Sequence, residues 1–281
     1  MSKPWRATVS HAVGWLADRP VPRAARAPLY RAYARATGAD LSESRPPLDG
    51  YPNLSAFFVR RLVDGARTWP SAPDVFPSPA DGRLQNQGIV DQGSLLQAKG
   101  QSYRVGELIG DIAEPGELDS ARAWTVYLSP RDYHRVHCPL TAKLAAAAWQ
   151  GGDRFSVAPR ELSNRPRVFV QNERVALRME SERGPYFLVL VGALNVGRLR
   201  VVGLEPLARQ TSRKNPVFQR GEELGRFELG STVVVVWPGG PHCPEPLLGL
   251  VEGAPLKMGE PLARFPTRGP SSEKNRHGPD E

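Results

Sequence analysis

Gly230-Ser231 stands directly ahead of the apolar run Val233 to Val236. Glycine puts no side chain in the way of the serine Oγ as it approaches the preceding carbonyl, and a strained peptide at such a place can undergo an N-to-O acyl shift. A tight turn entering a strand would read the same way. A second reactive stretch runs from Tyr127 to Pro139 and holds two of the five histidines, His134 and His137, three residues apart. No further Cys or His clusters nearby to complete a metal site, so none is expected. Set among Arg131, Tyr133 and Arg135, the two imidazoles suit an anionic substrate and a proton-transfer step, although an arginine could simply pair with Asp132. The third stretch, Ser78-Pro79-Ala80-Asp81-Gly82, offers a carboxylate at Asp81; it is also ordinary turn chemistry.

The elements that must position these groups are short. With 28 prolines, 27 glycines and 40% hydrophobic residues, the 281-residue chain has a core but many turns. The expected fold is α+β: a β-rich body of short, mostly antiparallel strands with an N-terminal amphipathic helical arm. Strands are expected at 83–90, 95–99, 124–128, 167–170, 175–180, 186–191, 198–202 and 232–237. In the arm, Val9, Ala12, Val13 and Leu16 recur at helical spacing with Trp15 beside them. A second helix is expected from Pro28 to Gly38, with Leu29, Tyr33 and Ala36 on one face. A third follows the N-cap Asn53 and ends at Gly65, with Leu54, Phe57, Phe58 and Leu62 on one side. These readings divide the chain into a helical, membrane-associating region (1–65), a catalytic body (66–266) and a polar tail expected to be disordered (267–281).

The net charge of +8 is concentrated at the start. Lys3, Arg6, Arg19, Arg23, Arg26, Arg31 and Arg35 face a single acid, Asp18, before residue 40. An arm of this kind calls for an anionic partner, nucleic acid or a lipid surface. Trp and Tyr beside arginines favour the membrane interface, though such helices can also pack on the body. Two cysteines, Cys138 and Cys243, make no disulfide framework and point to a reducing compartment. No secretory signal is read at the start, and no apolar run approaches the roughly 20 residues needed to span a bilayer.

Together the segments resemble the phosphatidylserine decarboxylase family. The resemblance runs from Phe57-Phe58-Val59-Arg60 through Pro79 to Gly82, Leu96 to Gly100, Tyr127 to Pro139, Gly152 to Val157, Asn172 to Arg174 and Val191 to Ala193. It ends at Gly225 to Thr232. Cys138 stands where a methionine or other apolar residue is expected, Leu207 to Gln219 matches weakly, and 239–248 is rich in proline. The resemblance implies self-processing by a relay in which Asp81 orients the imidazole of His137 and Ser231 is the nucleophile. Ser231 Oγ would attack the Gly230 carbonyl, and elimination from the resulting ester would release the Gly230 carboxylate. The dehydroalanine left behind would become a pyruvoyl group with loss of ammonia. The products would be a β chain ending at Gly230 and a pyruvoyl α chain from residue 231, held as a heterodimer. The pyruvoyl cofactor, derived from Ser231, would form a Schiff base with phosphatidylserine and act as the electron sink for decarboxylation to phosphatidylethanolamine. His134 is the candidate proton donor to the product, with His137 second.

The partners implied are phosphatidylserine in anionic membranes and, beyond the heterodimer, a higher oligomer; nucleic acid is not expected. The location implied is peripheral, on the cytoplasmic side of the cell membrane. Two other classes compete. A serine hydrolase would use Ser231 on an external ester and remain uncut. A carrier module would use the Val251 to Ala263 stretch, which is similar to biotinyl or lipoyl hairpins, but without the full motif Lys257 reads as surface and Met258 as core.

Overall fold

The computed structural model describes residues 14–98, 101–193, 199–205, 216–228 and 231–266. The Val9 to Val13 part of the arm stripe, Lys99, Gly100, Gly230 and the tail from 267 lie outside them. Two helices come first, α1 (Arg23–Thr37) and α2 (Leu54–Phe58). The strands follow: β1 (Val75–Pro77), β2 (Gly82–Ile89), β3 (Ser94–Ala98) and β4 (Gln101–Arg104), then helix α3 (Val105–Ile109), β5 (Arg122–Leu128), β6 (Arg135–His137) and β7 (Ala142–Gln150). After the helical turns α4 (Pro159–Leu162) and α5 (Val168–Gln171) come β8 (Arg174–Ser181), β9 (Gly184–Gly192), β10 (Leu199–Val201), β11 (Val217–Phe218), β12 (Glu223–Phe227) and β13 (Ser231–Trp237). The last strands are β14 (Glu245–Pro246), β15 (Pro255–Leu256) and β16 (Pro261–Arg264). The α+β, β-rich body expected from composition is the one observed.

An eight-stranded sheet in the order β11-β7-β8-β9-β13-β5-β2-β15 dominates, and its neighbours pair antiparallel. β13 lies near its centre, between β9 and β5, and all seven of its residues are buried. Successive side chains of a strand point to opposite faces. Val233, Val235 and Trp237 therefore join one apolar cluster with Leu84, Val136, Leu224 and Phe227. Val234 and Val236 join another with Leu108, Phe169 and Phe187. Because both faces are covered, the segment reads as a continuous valine run rather than an alternating one. The same alternation puts the Ser231 side chain on the face of Val233 and Val235. That face is covered by a second sheet, β10-β12-β6, which carries the histidine segment.

Local readings failed in three instructive places. Residues 167–170, expected as a strand, form the helical turn α5, entered by Arg167 at φ 59° with Val168 and Phe169 buried. A four-residue apolar run does not distinguish the two by periodicity. α1 starts at Arg23 and runs through Pro28, and it buries Tyr30 and Ala34 rather than the Leu29, Tyr33, Ala36 face. Gly38 ends it in the left-handed conformation at φ 79°, its N–H bonded to the Ala34 carbonyl, as a C-terminal glycine should. α2 is capped by Asn53, whose side chain accepts from the Ala56 N–H, but it stops at Phe58. Leu62 bridges to Ser44 instead of continuing the helix.

α1 packs on α2 and the segment before it through aromatic rings. Tyr30 stacks on Phe57 with ring centroids 4.4 Å apart and planes 4° from parallel, and Tyr51 and Tyr33 meet the Phe57 ring edge-on. Such pairs add about 0.5–1.5 kcal/mol each beyond their buried area. The Tyr33 hydroxyl donates to the Pro130 carbonyl at 2.9 Å, reaching the histidine loop. On the outer side, Trp15, Leu16 and Leu29 are exposed. No helix among the described residues is long and apolar enough to cross a membrane.

Candidate active site

The loop after β5 is closed by a short-range hydrogen-bonded turn. Asp132 accepts from both the N–H and the hydroxyl of Ser129, each at 2.7 Å, and donates its own N–H to the Ser129 carbonyl. This turn delivers Tyr133 and His134 into β6. The loop is also gripped from the arm side. Arg60 donates to the Arg131 carbonyl, and Arg135 donates twice to the Val59 carbonyl while pairing with Glu223. Phe58 lies against the His134 ring, 4.1 Å between centroids.

His134 is fully buried. Its Nδ1 lies 2.8 Å from the Asp132 carbonyl and must therefore carry the proton and donate it, which leaves the lone pair on Nε2. That Nε2 has no hydrogen-bond partner. Burial, slightly offset by the Asp132 carbonyl, pushes its pKa down to about 3, so the ring is neutral at physiological pH. His137 is also held below the ordinary histidine value, chiefly by burial. Both of its ring nitrogens are occupied. Nδ1 donates to the Gly221 carbonyl at 2.8 Å, and Nε2 lies 3.0 Å from the Tyr133 hydroxyl, which stacks beside it.

Asp81 sits at the entry to β2, where Gly82 is needed for close packing. A Cβ at Gly82 would fall 2.3 Å from the Tyr127 carbonyl oxygen on β5. The Pro79 carbonyl accepts from the backbone N–H of His137 at 2.8 Å, so this turn and β6 lie side by side. The Asp81 carboxylate, however, does not hydrogen-bond His137. It is clasped by both Nε and Nη2 of Arg67 and accepts from the Met258 N–H at 2.8 Å. Its negative charge favours the charged form of His137 only through space. Arg67 also pairs with Glu43, which in turn holds Lys257. Arg67 escaped the sequence reading. It lies 14 residues before Asp81, just past the glycine expected to end a helix, and nothing in its neighbourhood marks a buried arginine. Beside this ion network is a cavity of about 210 Å³ lined by Arg60, Asp81, Arg131, Asp132, Tyr133 and Lys257, among others.

Ser231 begins β13, with Leu128 of β5 and Gly192 of β9 as its cross-strand neighbours. It is fully buried, and its Oγ has no hydrogen-bond partner. The structure puts Asp81, His134, His137 and Ser231 on neighbouring segments, since β13 pairs with β5, β5 with β2, and the Pro79 carbonyl ties the Asp81 turn to β6, but Ser231 hydrogen-bonds none of the other three. It brings Asp81 to Arg67 and His137 to Tyr133, and it does not hydrogen-bond the three relay residues to one another. Cys138 behaves as a small apolar residue: it is fully buried, and desolvation pushes its thiol up to about 11. Lys257 is half-exposed and paired with Glu43, while Met258 is buried. Among the described residues no group of three or more His, Cys, Asp or Glu side chains could hold a metal ion.

Comparison with known proteins identifies the family. The family model for phosphatidylserine decarboxylase matches residues 54–264. Phosphatidylserine decarboxylase proenzyme of Marinobacter nauticus is 37% identical over 243 residues, covering 83% of this chain and 85% of its own. The protein of the same name from Xanthomonas axonopodis pv. citri is 40% identical over 240 residues, covering 82% and 85%. That from Pseudomonas fluorescens is 38% identical over 245 residues, covering 83% and 85%. With the match spanning the Asp81 turn, both histidines and the strand that begins at Ser231, this chain belongs to the phosphatidylserine decarboxylase family.

Proposed function

We propose that the chain is made as a precursor, cuts itself between Gly230 and Ser231, converts Ser231 into a pyruvoyl group and decarboxylates phosphatidylserine to phosphatidylethanolamine. The observation that carries this is the Ser231 hydroxyl, buried without a partner at the head of a central strand. An unsatisfied buried polar group costs about 1–3 kcal/mol. A group that is to lose its hydroxyl bears that cost only in the precursor. The apolar surroundings fit a ketone, which brings no donor that must be satisfied. Once formed, the pyruvoyl supplies a carbonyl that captures the lipid amine and takes up the electrons released with carbon dioxide. In self-processing, His137 accepts the Ser231 proton on Nε2 once the Tyr133 hydroxyl gives up that nitrogen, and Asp81 stabilises the imidazolium through its field. In turnover, His134 carries the proton to the product carbon. Relatives named as proenzymes support the self-cutting step.

The direct test is an intact mass of the purified protein. The expected result is two chains, residues 1–230 and 231–281, the second without a free α-amino group. A serine hydrolase would give one uncut chain, and an uncut chain that still decarboxylates phosphatidylserine would overturn the proposal. The two chains stay together as a heterodimer, because β13 pairs with β5 on one side and β9 on the other.

The arm is the membrane contact, on the cytoplasmic face of the cell membrane. What supports this is the basic excess before residue 40 together with exposed Trp15, Leu16 and Leu29. Removing the whole arm is a poor test, since Tyr33 donates to the Pro130 carbonyl of the histidine loop and Tyr30 stacks on Phe57, whose neighbour in sequence, Phe58, packs on His134. Point changes separate the contributions. Trp15→Ser with Leu16→Ser should weaken binding to phosphatidylserine vesicles at every salt concentration. Arg19→Gln with Arg23→Gln should weaken it mainly at low salt, by on the order of 1 kcal/mol per charge. Self-cleavage should be unchanged in both. Vesicle binding equal to wild type in the Trp15/Leu16 variant would remove the arm as the anchor.

A further inference from the structure

We propose that Arg67 is the positioning residue of self-processing, fixing the Asp81 carboxylate in place; this rests on the reading of Asp81 as part of that step. Asp81 is nearly buried, and its three donors are Arg67 Nε at 3.0 Å, Arg67 Nη2, and the Met258 N–H at 2.8 Å. The planar fork of a guanidinium sets both the position and the rotation of a carboxylate, which a single point charge does not. Arg67 is itself held rigid. Its side chain is only 6% exposed, and it also donates to the Ala66 carbonyl and to Glu43. Glu43 is tied in turn to Lys257.

The consequence concerns how Asp81 reaches His137. The imidazole is oriented by the Gly221 carbonyl and the Tyr133 hydroxyl, so Asp81 is not needed to set its tautomer. What Asp81 supplies is a fixed negative charge near a ring that must become positive when it takes the Ser231 proton. A carboxylate free to rotate or swing away would lose that effect, and the two-pronged grip of Arg67 prevents this. The charged and titratable groups facing Asp81 and His137 are Arg67, Arg60, Glu43, Lys257, Tyr133, Arg135 and Glu223. Of these, Arg67 alone is in hydrogen-bond contact with the Asp81 carboxylate.

The test follows conversion of freshly synthesised full-length precursor into its two chains. Arg67→Met should slow conversion about 100-fold. Arg67→Lys, which keeps the charge without the fork, should recover part of the rate. Glu43→Gln, which loosens Arg67 without touching Asp81, should convert within a few-fold of wild type. If Arg67→Met proves too unstable to compare, Arg67→Met with Asp81→Asn leaves no buried unpaired charge; it should convert no faster than Asp81→Asn alone. Conversion of Arg67→Met at the wild-type rate, while Asp81→Asn remains blocked, would overturn the role of Arg67. Normal conversion of Asp81→Asn would instead remove Asp81 from processing.

Discussion

Ser231→Ala should yield a single uncut chain with no decarboxylase activity. On the proposed route, the substitution removes the atom that attacks the Gly230 carbonyl and the oxygen from which the Gly230 carboxylate is later eliminated. Loss of either event leaves no ketone, so both self-cleavage and turnover should fall to background. The structure adds a second expectation that separates this from general damage. Ser231 Oγ is buried and makes no hydrogen bond, so its removal orphans no partner and leaves a void of one oxygen. Relieving an unsatisfied hydroxyl should leave the precursor as stable as wild type, or more so by about 1 kcal/mol. A gel or mass measurement reads the first expectation and a thermal melt the second. Finding residues 231–281 released from the alanine variant would sink the assignment of the cleavage serine.

The reactive segments were legible because they break the pattern around them. Polar Ser231 heads a run of valines buried on both faces, and two histidines interrupt a strand-rich stretch. What surrounds these groups was less legible. The partner of Asp81 is an arginine fixed by tertiary packing, and the partners of His137 are a backbone carbonyl at Gly221 and a tyrosine whose direction depends on the turn at Ser129 to Asp132. None has a local signature. The strand β7 was also hidden: Ala-Lys-Leu-Ala-Ala-Ala-Ala-Trp-Gln has helical propensity, yet pairing with β8 and β11 makes it strand. The arm shows the same limit. Its charge and exposed rings could be read from sequence, whereas its grip on residues 130–135 depends on where Tyr33, Val59 and Arg60 come to rest.

His134→Ala should mature yet decarboxylate poorly, with turnover reduced on the order of 10²–10⁴-fold, the usual contribution of a positioned acid–base group. His134 differs from His137 in one respect that matters here. Its Nε2 lone pair is uncommitted, whereas that of His137 is engaged by Tyr133. With its pKa pushed down to about 3 by burial, His134 does not arrive protonated at neutral pH. It must first gain the proton it later gives. The incoming lipid ammonium is the natural source, since that amine must lose a proton before it can attack a carbonyl. With the lipid carboxylate and phosphate beside it, Nε2 would gain proton affinity, take that proton and return it to the carbon after carbon dioxide departs, while Nδ1 stays anchored on the Asp132 carbonyl. The void left by alanine beside Phe58 will also cost stability, so His134→Gln, closer in volume, is the companion variant; both should be cut normally. Turnover should fall in both by similar factors, while vesicle binding stays unchanged. A matured His134 variant that keeps wild-type turnover would exclude it as the proton carrier, and one that stays uncut would move His134 from turnover to processing.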